Sequence, residues 1–293
     1  MNFTLPTDPH ELAWLTNVAI DAHCEVNSFE RFTIGYDIWC RSAVSLLLAE
    51  TKSASLRRYS GELLPLLGAL SALDQYGTCY APVPSILPKG LSSKSGVIKS
   101  AHNFLSITVD SKDSDALYAI RNSLMHQSSL ISVDVVKKVK NFWFEIDNNI
   151  DEIFVHAATP WDGIYSSRSE SNRTLVNSRK ILDLAFELTK ILKEKHKLGQ
   201  LSLDLKGGLE ELLTNYVDLD FFVSRRDSYI MYVGYKIHEE LFSQPGGVAL
   251  AKQVLTSVPQ AVKDEAARWL VSQPGAPKLE LIAQYYPSVK LHP

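Results

Sequence analysis

The sequence predicts an all-α protein: a helical bundle followed by a second helical domain. Three observations carry that expectation. Apolar residues recur at three- and four-residue intervals through long stretches, residues suited to capping stand just before them, and clusters of proline and glycine separate them. With 45% hydrophobic and 22% charged residues, the 293-residue chain has the composition of a globular protein able to bury a full core.

Asp8-Pro9-His10-Glu11 starts the first helix: Asp8 caps, Pro9 takes the first helical position, and Glu11 closes a capping box. This helix is expected to reach about Val26. Ser28 is expected to cap a longer helix with Ile34, Ile38, Ala43, Leu46 and Leu47 on one face, ending near Arg58. A third, apolar helix spans about 62–75. Gly77–Gly96, with Pro82, Pro84 and Pro88, reads as a loop. Val97–Thr108 reads as a short helix or, at Leu105–Val109, a β-prone piece. The polar run from Asp110 then opens a helix over Ala116–His126. Ser132 and Asp134 start another, through Phe142, Ile146 and Ile153 to about His156.

Ala157–Thr174 holds Pro160, Gly163 and the run SSRSESNRT, so the chain is divided into a bundle over 1–158, a linker over 159–174 and a helical domain over 175–293. In the last, Leu175–Leu198 is amphipathic and ends in lysines, with Gly199 as its stop signal. Further helices are expected at about 207–222, 226–242, 246–256, 259–271 and 278–286. Leu201–Leu205 is a second β-prone run, and SQPG recurs at Ser243–Gly246 and Ser272–Gly275 as two helix starts.

No stretch is long and apolar enough to span a bilayer, and the first residues lack the pattern of a secretory signal. Cys24, Cys40 and Cys79 are few and widely spaced, which suits a reducing, cytoplasmic setting with idle thiols. The net charge of −3 argues against a protein that coats nucleic acid generally. The charge is uneven, however. Residues 52–140 hold eleven basic and six acidic side chains, whereas residues 1–51 hold two and seven.

One stretch carries chemistry: Leu117-Tyr-Ala-Ile-Arg-Asn-Ser-Leu-Met-His126. Chance would place about 0.01 Arg-Asn-x-x-x-His patterns in a chain of this composition. Histidine titrates near neutrality and can move protons. Arginine stays charged and grips two phosphate oxygens, and asparagine can orient a phosphate or the imidazole. At about 100° per residue, Asn122 and His126 share a helix face, while Arg121 and His126 lie about 140° apart. An ideal helix therefore predicts a distorted end or a site shared between two subunits.

The pattern resembles the R-x4–6-H signature of the HEPN superfamily over roughly residues 28–158. That resemblance implies a helical bundle and a metal-independent endoribonuclease acting on RNA as a homodimer, without cofactor. Arg121 would hold the phosphate, His126 would move protons and Asn122 would position them. It further implies a role in defence or toxin–antitoxin function, with an antitoxin or other regulatory protein as partner and none at a membrane. The alternatives are a non-catalytic all-α module that binds RNA or protein, and a helical scaffold in which Arg121 forms a surface ion pair and His126 caps a helix end.

Other constellations carry less. Glu152 and His156 stand four apart but lack the matching helices of a di-metal bundle. His238-Glu239-Glu240 lacks the second histidine of a zinc protease, and His23-Cys24 lacks partners at metal spacing. The lysine-rich end of 175–198 stabilises its own helix, and Arg225-Arg226 beside Tyr229 and Tyr232 reads as core more readily than as a strand-binding surface.

Overall fold

The computed structural model describes residues 4–27, 29, 32–34, 38–57, 61–84, 90–133, 140–221, 224–242, 251–252, 254–273 and 279–286. Ser28, Asp134 and Ser243–Gly246 lie outside them, as do Pro88 and part of the second SQPG segment. The chain is mixed α/β and not all-α: among the described residues helices predominate, but three sheets are present. It forms two compact units, one from residues 20–30 and 41–217, the other from 1–19, 31–40 and 218–293. This division differs from the expected one at 159–174, where the chain forms two 3-10 turns and then a strand of the larger unit. Helix α1, Pro9–Cys24, contributes residues to both units.

The larger unit is built around α3, Leu63–Cys79. Its apolar sequence is a consequence of its place: α2 (Ala43–Ser55), α4 (Gly96–Phe104), α5 (Lys112–Gln127) and α6 (Ser178–Lys197) all pack against it. A helix covered on several sides reads as apolar all round. Leu66, Leu70, Leu73 and Tyr76 are fully enclosed. A Cβ on Gly77 would stand 1.9 Å from the Gly96 carbonyl oxygen of α4, and one on Gly96 would stand 1.8 Å from the Asp74 carbonyl oxygen. The α3–α4 contact is thus backbone against backbone. Gly77→Ala is expected to force the helices apart and cost about 2 kcal/mol, the scale of overpacking in a tight core. Urea unfolding of the variant measures it, and an unchanged midpoint would show that the helices separate freely.

Local signals explain the ends of these helices. Ser42 Oγ accepts from Ser45 N–H at 3.3 Å to start α2, and Ser111 Oγ accepts from Ser114 N–H at 3.2 Å to start α5. Asp113 and Asp115 occupy the first turn of α5, where acids suit the dipole. Ser128 ends α5 in the left-handed region at φ 50°. Asn177 caps α6, which starts three residues later than expected, and Gly199 follows it at φ 66° as the sequence indicates.

The sheets fall where the helical expectation failed. The described residues of the expected helix from Ser132 to His156 hold strands instead: β4 (Ile131–Ser132) pairs antiparallel with β5 (Phe142–Ile146), β5 runs parallel to β7 (Thr174–Val176), and β6 (Phe154–Val155) pairs antiparallel with β7. The order is β4-β5-β7-β6. Phe142-Trp-Phe-Glu-Ile is aromatic and β-prone, with Phe144 buried and Glu145 exposed as a strand requires. Within Gly77–Gly96, α3 continues to Cys79 and β3 (Tyr80–Pro82) follows, pairing antiparallel with β8 (Leu201–Leu203). The run 207–222 splits into α7 (Gly208–Asn215) and β9 (Val217–Phe221).

The smaller unit replaces the expected helix after Ser28 with a hairpin. β1 (Phe32–Ile34) pairs antiparallel with β2 (Ile38–Ser42), and β9 completes the order β1-β2-β9. Helices α8 (Arg225–Phe242), α9 (Gln260–Val271) and α10 (Leu279–Tyr285) follow, close to expectation. Trp14 packs on Tyr229 with ring centres 5.4 Å apart. Glu11 is buried and accepts from Arg225 Nε at 2.7 Å. Arg226 pairs with Glu265 at 2.9 Å on the exposed side, whereas Tyr229 is buried in this core and Arg225 pairs with the buried Glu11.

Candidate functional site

The larger unit brings Arg121, Asn122 and His126 together within one chain. Arg121 Nη1 donates to Asn122 Oδ1 at 2.9 Å and lies 3.2 Å from His126 Nε2. A guanidinium has only donors, so Nε2 is the acceptor and the neutral ring carries its proton on Nδ1. The helix is regular through Gln127, so neither a distorted end nor a second subunit is needed to make the contact. The backbone directions diverge as the ideal geometry requires; the long arginine side chain closes the gap. That corrects the geometric ground on which a shared site was expected.

A fourth residue, Asp74, holds the arginine. Arg121 Nη2 donates to Asp74 Oδ2 at 2.6 Å, both side chains about one-fifth exposed. Asp74 Oδ1 accepts from the Val97 N–H at 3.0 Å, in the first turn of α4. One carboxylate on α3 thereby fixes the α4 terminus and the α5 guanidinium. Arg121 Nε is buried without a hydrogen-bond partner. Asp74 was missed in the sequence, though it left a signal: it is the sole charge in the seventeen residues of α3, and a charge on so apolar a helix needs a partner.

His126 is exposed and lines, with Asn122, a cleft of about 450 Å³ over α5. Tyr118, Asp115, Lys140 and Phe142 line the same cleft. Cations of the basic island are paired locally: Lys94 with Asp110, Lys99 with Asp204 and Lys140 with Asp115. Such pairs lower the pull of the island on a distant polyanion.

The discounted constellations take other roles. His156 Nε2 bonds Asp113 at 2.7 Å, and because residues 140–156 are not helical, Glu152 and His156 share no helix face. Glu239 pairs with Lys236 at 2.7 Å and His238 packs on Phe242. Lys193 and His196, at the basic end of α6, face Glu25 and Asp21. All three cysteines are buried free thiols. Among the described residues, no group of three His, Cys, Asp or Glu side chains is placed to hold a metal ion, and no helix is long and apolar enough to cross a membrane.

No family model, no curated protein and no solved structure matches the chain.

Proposed function

We propose that Arg121, Asn122 and His126 form an RNA-cleaving site of HEPN type that uses no metal. The observation that carries this reading is the contact of Arg121 with His126, which lines a cleft together with Asn122, while Asp74 holds the guanidinium. Attack of a 2′-hydroxyl on the adjacent phosphate needs a proton acceptor, a donor to the leaving 5′-oxygen, and a counter-charge for the phosphorane. His126 can serve in proton transfer. A phosphate drawing Arg121 Nη1–H to itself frees Nε2 at the same moment. Arg121 then meets the charge that develops in the transition state, and the Asn122 amide orients the phosphate or ring. The resemblance extends the proposal to a homodimer, to defence or toxin–antitoxin function and to a regulatory protein partner.

Wild type should cleave RNA in the presence of EDTA, leave 2′,3′-cyclic phosphate ends and spare DNA, which lacks the nucleophile. His126→Ala is expected to lower the rate about a hundredfold and to stay folded, since the side chain is exposed. Equal cleavage by wild type and His126→Ala would reject the site. A second reading, a non-catalytic module binding RNA or protein, draws on the three side-chain partners that Arg121 already has. Binding without cleavage by wild type on a panel of RNAs would favour it.

A further inference from the structure

We infer that the cleft over α5 is a nucleobase pocket for an unpaired guanine, read by Asp115 and Lys140; this rests on the reading of Arg121, Asn122 and His126 as an RNA site. Asp115, Tyr118, Ala119, Asn122 and His126 recur at helical spacing and line one cleft. Lys140 and Phe142 line it from the opposite side. The helix rise places Tyr118 about 6 Å along the axis from Asn122, roughly one nucleotide step, so the pocket holds the base next to the reacting phosphate.

Two features give the pocket its chemistry. Tyr118 is 46% exposed, an aromatic face left open on a helix whose neighbours Leu117 and Ile120 are fully buried. Aromatic faces stack unpaired bases. Beside it, Lys140 Nζ and Asp115 Oδ1 stand 2.7 Å apart. An ionised carboxylate only accepts and an ammonium only donates. The Watson–Crick edge of guanine presents two adjacent donors, N1–H and N2–H, followed by the O6 acceptor. Two carboxylate oxygens match the donors, and the neighbouring ammonium matches O6. Adenine and cytosine each set an acceptor ring nitrogen against the carboxylate, and uracil offers one donor between two acceptors. The Asp115–Lys140 pair therefore complements guanine and opposes the others. The cleft of about 450 Å³ has room for a purine.

The test reads binding, not cleavage. Non-cleavable 2′-O-methyl tetranucleotides carrying one guanine, inosine, adenine, cytosine or uracil among abasic positions are titrated by fluorescence anisotropy. Wild type is expected to bind the guanine probe about tenfold or more tightly than the adenine probe, with inosine, which lacks N2–H, between them. Asp115→Asn should shrink the guanine preference below about threefold while circular dichroism stays unchanged. Tyr118→Ala should weaken every base about tenfold, and His126→Ala should keep the preference. Equal affinity for all bases, binding of none, or a preference intact in Asp115→Asn overturns the pocket. Guanine-selective binding without cleavage keeps the pocket and overturns the ribonuclease reading. Cleavage whose base preference survives Asp115→Asn keeps that reading and overturns the pocket.

Discussion

Asp74→Ala is expected to destabilise the fold by about 2–3 kcal/mol and to slow RNA cleavage by about tenfold or more, although Asp74 stands behind the arginine and not in the cleft. Two separate losses add in stability. Removing the carboxylate leaves the partly buried Arg121 without its counter-charge, which costs more than the pair itself contributes. It also leaves the Val97 N–H uncapped at the start of α4. The kinetic loss follows from position: without the anchor at 2.6 Å the guanidinium leaves the place that meets both Asn122 and His126. Asp74→Asn separates the two effects. It keeps one amide oxygen, which can accept from the Val97 N–H, and sets its NH2 group against the Arg121 guanidinium, so it should recover about half the stability and little of kcat, with KM little changed. The measurements are urea denaturation and single-turnover cleavage of wild type, Asp74→Asn and Asp74→Ala. Full stability in Asp74→Ala would mean that the pair contributes nothing to holding α3, α4 and α5 together.

The helices that build the candidate site were legible because their signals are local. Ser111 and the acids after it mark the start of α5, the apolar stripe and Gly199 mark α6 and its end, and the apolar run of α3 announces burial. β8 falls in the run Leu201–Leu205 that reads as β-prone, but β1, β2, β4 and β5 were not legible, for two physical reasons. Ile34 and Ile38, four apart, fit a helix face, and an even separation fits a strand face equally well; the hairpin places both in strands paired to one another. At 131–146 a capping pattern at Ser132 pointed to a helix while Phe142-Trp-Phe-Glu-Ile favoured a strand. Pairing with residues 174–176, thirty positions on, decided it, and no local window contains that partner.

The site divides in the same way. Arg121, Asn122 and His126 are neighbours in sequence and could be read together. Asp74 lies 47 positions away and reaches Arg121 because α5 packs directly against α3. The expected divergence of Arg121 from His126 was right for Cα directions and wrong for the functional atoms. A side chain with four rotatable bonds reaches across an angle that a short one cannot.

Gln75, next to Asp74 on α3, contacts a group of α1 that should make the larger unit sensitive to acid. His23 is fully buried. Its Nδ1 lies 2.8 Å from Tyr80 Oη and its Nε2 3.0 Å from Gln75 Nε2. The Gln75 amide N–H can only donate, so Nε2 accepts and Nδ1–H donates to Tyr80. Tyr80 Oη is in turn bonded to Cys24, whose thiol burial pushes up to about 12, so the whole chain of groups is neutral. Protonating His23 would bury a charge and set its new N–H against that of Gln75. Burial accordingly lowers the His23 pKa to about 3. In the unfolded chain it returns to about 6.5, so the unfolded state binds the extra proton between these values and stability rises with pH there. The contribution is complete above about pH 6.5 and is lost progressively as pH falls toward 3; by pH 4.5 the loss is on the order of 3 kcal/mol. His23→Gln removes the titrating ring while keeping a donor and an acceptor. It should lower stability at neutral pH yet flatten the pH dependence between 6.5 and 4.5. Urea midpoints at pH 6.5, 5.5 and 4.5 for both proteins decide the matter: parallel profiles would remove His23 as the cause. A steeper wild-type profile would tie the acid limit of the protein to a histidine whose partner Gln75 is the immediate neighbour of Asp74, so that acid would dismantle the support of the candidate site from the core outward.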